Sequence, residues 1–400
     1  MNLTDLHSPL EDWLYLERYV NIGSDHKFWL ELDIPRQFHP LSDTVDFHLY
    51  QIDNLEYSRM GKVSTDHFPI HPAINSLYLS QGYSTTETSA KYAPSSSART
   101  LFSRDGKGFV KVDLPLNIGR FNRRLVKSDV IFSQQIDATI TQIREQAKSH
   151  GIGFGILREI GGGFFTDTTG REPAFIEREM TPYWITKPDK PASRLFIVPL
   201  FSLPAQDPKG KCKPLLIQII DKHDKNPIQF ILQSIIIPLI DAWHTLAKYG
   251  ILWEMQSQNT LFALDANYLP HGVVIRDNDA AYINSFLSSP TDHPLRDSYI
   301  KHVIGLRGES IERTSLSFDH RLCKQSIQQL VTCFATHYGE SSADELSKLI
   351  TEYVDSSLNE AIVANLPKNK WYTYPPIMFH GNKPLTTAIP IPLFRTIGSA

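Results

Sequence analysis

Residues 98–118 read ARTLFSRDGKGFVKVDLPLNI, and this stretch decides which half of the chain is built from strands. Asp105-Gly106 is a strong hairpin signal, because the tightest hairpin turns need positive φ at their central residues and Asp and Gly tolerate it. A two-residue turn there joins Ala98–Ser103 to Gly108–Ile118 and sets Thr100 opposite Lys111, with Arg99 beside the pair. In the second strand Val110, Val112, Leu114, Leu116 and Ile118 share one face, which leaves Lys111, Asp113 and Asn117 on the other. Pro115 marks that strand as an edge or a bulge.

Upstream of the hairpin, the Ser/Thr-rich loop 84–97 ends in Pro94-Ser95-Ser96-Ser97. Three hydroxyls and a run of backbone N–H groups are donors of the kind that bind phosphate oxygens. The same residues also suit a polar linker ahead of a solvated strand face. The first 55 residues lack clear periodicity, are interrupted by Pro35 and Pro40, and receive no assignment. Downstream, Ser133 is expected to open an amphipathic helix carrying Ile136, Ile140, Ile143 and Ala147, with Gly151 as its stop.

From Asn226 the pattern turns helical. Asn226-Pro227 starts a helix with Ile228, Ile231, Ile235, Leu239, Trp243 and Leu246 on its apolar side, ending at Tyr249-Gly250. Pro238 should kink or split it. A helix over roughly 320–338 is followed by Ser342-Ala-Asp-Glu345, a capping box for a helix with Leu346, Leu349, Ile350 and Val354 inside. The last segment, with Pro375, Pro376, Pro384, Pro390 and Pro392, reads as extended chain. The class is therefore α+β, divided as 1–55, a β-rich region 56–211 and a mainly helical region 212–400.

Composition narrows the partners. Four hundred residues with 41% hydrophobic content allow more than one core. A net charge of −3 lacks the cationic excess that nucleic-acid binding needs. The most apolar run, Ile235–Ile240, is too short to span a bilayer and contains Pro238, so no membrane is expected and the chain reads as cytoplasmic. Cys212, Cys323 and Cys333 have no metal or disulfide spacing and read as buried hydrophobes. His67-x₃-His71 has helical metal spacing, but Pro69 between them argues against the helix. Neither 151–155 nor Gly161-Gly-Gly163 opens a helix after a strand, so neither fits a dinucleotide loop. Trp243 and Phe230 read as core.

A second hairpin joins Thr260–Leu264 to Gly272–Ile275 through a loop near Tyr268. Symmetric pairing about Tyr268 places Asn259 near Asp277 and collects Glu254, Gln256, Gln258 and Arg276 at the open end. Two acids and carboxamide oxygens are hard ligands suited to Mg²⁺, which takes one or two protein carboxylates plus phosphates. A capped strand end with an Arg276–Asp277 surface pair accounts for the same residues.

These residues carry a resemblance. Pro94-Ser95-Ser96-Ser97-Ala98-Arg99-Thr100, then Lys111, then Arg123 resembles the P-[TS]-S-S-x-R-T…K…R pattern of the NRPS-independent siderophore synthetases of the aerobactin-synthetase type. Gly250-Ile-Leu-Trp-Glu254-Met-Gln256-Ser-Gln258-Asn259-Thr260 is similar to that family's G-[IV]-x-x-E-x-H-x-Q-N, and Val274-Ile-Arg276-Asp277 to its L-R-D. Phe68-Pro69-Ile70-His71-Pro72 and Ile156-Leu-Arg-Glu159 match two further elements in the same order.

The resemblance implies a cupped hand with β-rich fingers, a helical palm and a reduced thumb. It implies that His71, Ser95, Ser96, Ser97, Arg99, Thr100 and Lys111 hold ATP, and that Arg99, Lys111 and Arg123 carry the chemistry. It further implies that Arg123, Gln256, Gln258 and Arg276 contact substrate and that Glu254, Asn259 and Asp277 hold Mg²⁺. The reaction implied is adenylation of a citrate-like acid and its condensation with an amine or alcohol, by a homodimer. Three departures stand out: the N-terminal H-P-x-H-P element has no clear copy, Gly119 replaces a common threonine, and Gln256 replaces the E-x-H histidine. They leave open a homologue that binds or scaffolds without turnover. A ferric-siderophore reductase would need a cysteine cluster that three scattered cysteines do not supply.

Overall fold

Eight of the strands between residues 47 and 178 build one antiparallel sheet. Its spatial order is Ser58–Gly61, Glu159–Phe164, Ala174–Arg178, Phe109–Val112, Thr100–Ser103, Thr85–Pro94, Phe47–Ile52 and Pro69–Ile70. The computed structural model describes all residues except 22–34, 43–45, 107, 119–120, 147–151, 209, 224–225, 288–302, 375–378, 381–382, 385, 391 and 397–400. Gly119, Ala147, Gly151, Pro375 and Pro376 thus lie outside the described residues.

The register expected of the first hairpin is present: Thr100 pairs with Lys111, Leu101 with Val110 and Phe102 with Phe109. Its turn is wider than two residues. Gly106, at φ 76°, donates its N–H to the Ser103 carbonyl at 3.1 Å, and the Ser103 N–H reaches Gly108 at 2.9 Å. The returning strand stops at Val112, short of Ile118, since Pro115 has no N–H for the ladder. Val110, Val112 and Leu114 enter one apolar core with Phe68, Ile70 and Phe175.

A helix spans Lys127–Gln146, beginning six residues before Ser133. The Asp129 carboxylate accepts the Val126 N–H at 2.9 Å at its start, so Asp129 supplies the cap that was read into Ser133. Ile136, Ile140 and Ile143 are buried as their spacing predicts.

The second sheet runs Tyr183–Thr186, Gly153–Ile156, Pro270–Ile275, Thr260–Leu264 and Phe196–Pro199, so it draws strands from both sides of residue 211. A Cβ on Gly272 would collide with the Trp184 ring, and one on Gly155 would approach it at 2.9 Å. Gly153 and Gly155 therefore sit in strand Gly153–Ile156 and make room for an indole.

The long apolar helix is continuous. Asn226 caps it by accepting the Gln229 N–H at 3.3 Å, and the π-helical stretch Leu232–Ile236 precedes Pro238 in place of a break. Among the described residues, Pro227–Ala247 alone is long and apolar enough to cross a membrane, yet 67% of its apolar window is buried against this chain, as a core helix would be. Trp243 is fully buried and donates to Ser317 Oγ at 2.8 Å. Arg307–Ser315, the π-helical Leu316–Ile327 and Gln328–Tyr338 follow in one path that starts earlier than 320. The next helix, Glu340–Ser357, begins directly after Gly339 and not at Ser342, because Gly339 at φ 90° makes the corner between the two helices. Leu346, Ile350 and Val354 are buried in it. Of the terminal segment, Lys370–Thr373 and Thr387–Pro390 pair as strands.

The N-terminal region holds the main surprise. Helix Pro9–Tyr19 lies where no structure was assigned, although Ser8-Pro9 followed by Glu11 and Asp12 is a helix-start pattern. Its Trp13 and Leu14 pack with Ala93, Phe102 and Phe109 of the first sheet and with Ile197, Leu261, Ala263 and Val274 of the second. The helix is a wedge that joins the two sheets.

Candidate functional site

Alternation along Phe109–Val112 sends Lys111 away from the core that takes Val110 and Val112. Its ammonium meets Asp277 Oδ1 at 2.6 Å, so the two hairpins face each other across one ion pair. Arg178, at the end of the neighbouring strand, reaches the same oxygen at 3.5 Å and Glu159 Oε1 at 2.5 Å. Glu159 in turn accepts from Ser133 Oγ at 2.5 Å, and Asn278 donates to the Ser133 carbonyl at 3.0 Å. Lys111 and Arg178 are about 95% buried, whereas the Asp277 side chain keeps 32% of its surface. Burial opposes the ionised form of Asp277, but Lys111 and Arg178 outweigh it and hold its pKa at about 2.

The serine loop is arranged differently from its expected form. The Ser95 N–H donates to the Thr100 carbonyl at 3.0 Å, the Ser96 N–H to Glu17 Oε2 at 3.3 Å, and the Ser97 N–H to Ser95 Oγ at 3.1 Å. All three backbone donors are already bonded within the protein. What the loop can offer a ligand is the hydroxyls of Ser96 and Ser97.

Arg99 is also occupied. Its guanidinium donates to the carbonyls of Arg123 and Arg124 at 2.8 and 2.9 Å, which ties down the segment that carries Arg123. Thr100 is buried opposite Lys111. His71 is fully buried, edge-on to Phe38 and Phe47, and its Nδ1 accepts the Ala73 N–H at 3.1 Å. Burial drives its pKa down to about 3, so it is a neutral core imidazole at ordinary pH.

The second hairpin pairs one residue off the expected register: Thr260 faces Ile275, and the Arg276 N–H donates to the Asn259 carbonyl at 3.0 Å. A bulge between Ala263 and Leu264 absorbs the difference. Arg276 therefore does not line the open end. It is buried against Glu17 of the N-terminal helix, donating to Glu17 Oε1 and, at 3.2 Å, to Oε2, while the Gln258 carbonyl takes two more bonds at 3.0 and 2.8 Å. The Asn259 amide donates to the Glu254 carbonyl at 3.3 Å.

Glu254 and Gln256 meet a residue that sequence reading missed. Arg321 donates to Gln256 Oε1 at 2.7 Å and pairs with Glu254 Oε2 at 3.2 Å. Nothing in the pattern around Arg321 announces it. Glu17 and Arg178 were missed for the same reason, since each is defined by a partner more than 15 residues away. For Mg²⁺ the donor set is chemically suitable: Glu254, Asn259 and Asp277 offer hard oxygens, and two carboxylates are the usual protein share. Among the described residues, no group of three His, Cys, Asp or Glu forms a metal cluster.

Residues 71–194 match the model of the IucA / IucC family. The ATP-bound aerobactin synthetase IucA from a hypervirulent pathotype of Klebsiella pneumoniae has a similar fold, with a TM-score of 0.63 at 15% identity over 90% of this chain and 74% of that one. The likeness to that family in sequence covers residues 71–194, and beyond them it is one of fold. The petrobactin biosynthesis protein AsbB from Bacillus anthracis str. Sterne gives 0.60 at 17% identity, over 82% of this chain and 59% of that one. Aerobactin synthetase IucC from the Klebsiella pathotype gives 0.57 at 14%, over 82% and 66%. No curated protein matches in sequence. Residues 229–364 also match the model of the ferric iron reductase FhuF-like transporter. The chain has three cysteines in all, fewer than a four-thiolate cluster needs, and burial pushes the Cys323 thiol well above its ordinary pKa.

Proposed function

We propose that the chain is an ATP-dependent ligase that adenylates a carboxylic acid of the citrate type and passes the acyl group to an amine or alcohol. The observation that carries this reading is the Lys111–Asp277 pair, which turns the two motif-bearing hairpins toward each other. Lys111 and Arg178 supply the positive charge a triphosphate requires, and the Ser96 and Ser97 hydroxyls are the loop's remaining donors. When ATP binds, Lys111 has a phosphate to pair with in place of Asp277, which frees that carboxylate. Mg²⁺, when bound, would be held by oxygens of Glu254, Asn259 and Asp277 and would neutralise phosphate charge.

A substrate carboxylate oxygen attacks the α-phosphorus of ATP, the bond to pyrophosphate breaks, and an acyl adenylate forms. The amine or hydroxyl then attacks the acyl carbon, loses its proton to a base, and AMP leaves. Side chains are asked mainly for charge neutralisation and in-line placement. Arg99 acts through Arg123, whose backbone carbonyl it holds.

A second reading is favoured by the pairing of Glu254 with Arg321 and of Arg276 with Glu17: a protein that keeps the fold and binds ligands without turnover. Acid-dependent pyrophosphate release, screened over citrate, succinate and 2-oxoglutarate with and without amines, separates the two. Lys111→Ala should lower the rate by about two decades or more, the scale of a lost transition-state charge contact. Folded wild-type protein that releases no pyrophosphate with any acid excludes the ligase.

A further inference from the structure

The Ile156-Leu-Arg-Glu159 element plays no part in the reaction as proposed, yet it runs beside the site. Ile156 pairs in parallel with Ile275, and the Leu157 N–H donates to the Ile275 carbonyl at 2.9 Å, just before Arg276-Asp277. The element is then fastened to helix Lys127–Gln146. Arg158 grips the Asp137 carboxylate with two bonds at 2.8 and 2.6 Å, and the Glu159 carbonyl accepts from Gln134 Nε2 at 2.8 Å. The Glu159 side chain is fully buried and both its oxygens are bonded, Oε2 to Ser133 Oγ and Oε1 to Arg178 Nη2, each at 2.5 Å.

One guanidinium nitrogen thus chooses between two carboxylates. Arg178 Nη2 lies 2.5 Å from Glu159 and 3.5 Å from Asp277, so Glu159 holds it the more closely. Arg178 Nε is buried without a hydrogen bond, which leaves the guanidinium with donors to spare. A buried cation stripped of its carboxylate is costly, so without Glu159 the group would turn to Asp277. The other side of the gap is fixed by the same helix residue: Asn278 Nδ2, next to Asp277 in the chain, donates to the Ser133 carbonyl at 3.0 Å and to its Oγ at 3.3 Å. Lys111, Asp277, Arg178 and Glu159 therefore form a row of alternating charge in which Asp277 is the most exposed member.

We propose that Glu159, steadied by Ser133, is a positioning residue that draws Arg178 back from Asp277 and so leaves that carboxylate to a divalent cation when a phosphate takes Lys111. The role rests on the nucleotide of the ligase reading and not on turnover. It has a signature of sign. Loss of the Glu159 charge leaves the site one unit more positive, which favours a phosphate and disfavours a metal ion, whereas general loosening of the fold weakens both.

Titration calorimetry of the full chain with ATP, once in EDTA and once in excess Mg²⁺, tests this. Wild type binds ATP in both and more tightly with Mg²⁺. Glu159→Gln tightens binding in EDTA by about threefold to tenfold and cuts the gain from Mg²⁺ by about tenfold or more, the scale of one unit charge at short range. Glu159→Asp keeps the charge and holds the gain within about threefold of wild type. Ser133→Ala keeps every charge but loosens the grip on Glu159, lowering the gain about threefold, and serves if Glu159→Gln fails a thermal unfolding check. An unchanged gain in the Gln and Ala variants overturns the role, as does weakening of both titrations alike or a wild type that gains nothing from Mg²⁺. Pyrophosphate release run in parallel separates the two claims. The expected binding pattern without any release removes the ligase and leaves the role, release with an unmoved gain removes the role and leaves the ligase, and a wild type that binds no ATP removes both.

Discussion

Replacement of Glu17 by alanine tests whether the N-terminal helix organises the site. Glu17 has no exposed surface and Arg276 about 5%, so their pair is out of water on both sides. Removing one partner of such a pair costs about 3–5 kcal/mol, because the remaining charge stays buried without compensation. Glu17 also accepts from Trp13 Nε1 at 3.2 Å and from the Ser96 N–H at 3.3 Å, each worth about 1 kcal/mol net when satisfied. A total loss of about 5–7 kcal/mol follows, a large fraction of the stability of an ordinary domain. Urea unfolding followed by tryptophan fluorescence measures it, with Trp13 itself as a reporter inside the affected cluster. Glu17→Gln keeps an acceptor but not the charge and should lose less. The double variant Glu17→Met with Arg276→Met removes both charges, so its loss should fall short of the sum of the single losses by about 2–3 kcal/mol. A Glu17→Ala loss under about 1 kcal/mol, or strict additivity in the double variant, would show that the wedge does not hold the two hairpins through this carboxylate.

Other consequences can be measured independently. Burial raises the Asp113 pKa to about 6, against the opposing hydrogen bond from the Leu125 N–H and the nearby arginines. The folded state therefore binds more protons than the unfolded between about pH 4 and 6, stability falls as pH rises through that window, and Asp113→Asn should gain on the order of 3 kcal/mol at pH 7 relative to pH 4. Asp277 has the opposite sign: its lowered pKa contributes stability that is present above about pH 4 and lost as pH falls toward 2, and Asp277→Asn should flatten the acid limb of a melting profile between those values. Gly272→Ala forces a methyl into the Trp184 ring and should lower the thermal midpoint, by about 1–3 kcal/mol in stability, whereas Gly106→Ala, with open space around it, loses only the φ preference.

The local features were legible and the long-range ones were not. The pairing of Thr100 with Lys111 follows from Asp105-Gly106, because a hairpin's register is set within a few residues of its turn. The mixed α+β class, the Asn226 cap and the buried stripe Leu346, Ile350 and Val354 are local for the same reason. The start of helix Lys127–Gln146 was misread because Ser133 and Asp129 both carry capping side chains, and only the structure shows which one meets a free N–H. Helix Pro9–Tyr19 was passed over because its buried residues include Glu17 and Arg18, which a hydrophobic-periodicity reading counts as surface. Those two charges are buried only because partners elsewhere in the chain receive them: Arg276 for Glu17, and the Pro40 and Ser42 carbonyls for Arg18.

The single residue of slip in the second hairpin shows how much of the site depends on such partners. Had Asn259 faced Asp277, the period of two would have turned Arg276 and Asp277 to faces opposite those they occupy. Instead the ladder reaches Arg276, whose N–H bonds Asn259 while its side chain goes to Glu17, and the chain then turns at Asp277 with φ 75°. A non-glycine residue in that region costs about 1–3 kcal/mol and persists only where its surroundings hold it. Lys111 and Arg178 are those surroundings, and both belong to the other sheet. The left-handed turn is therefore stable because the two sheets are docked, and the docking runs through the helix that Glu17 anchors. This makes the N-terminal helix, which has no counterpart among the motifs read from the sequence, a structural precondition for the pairing of Lys111 with Asp277.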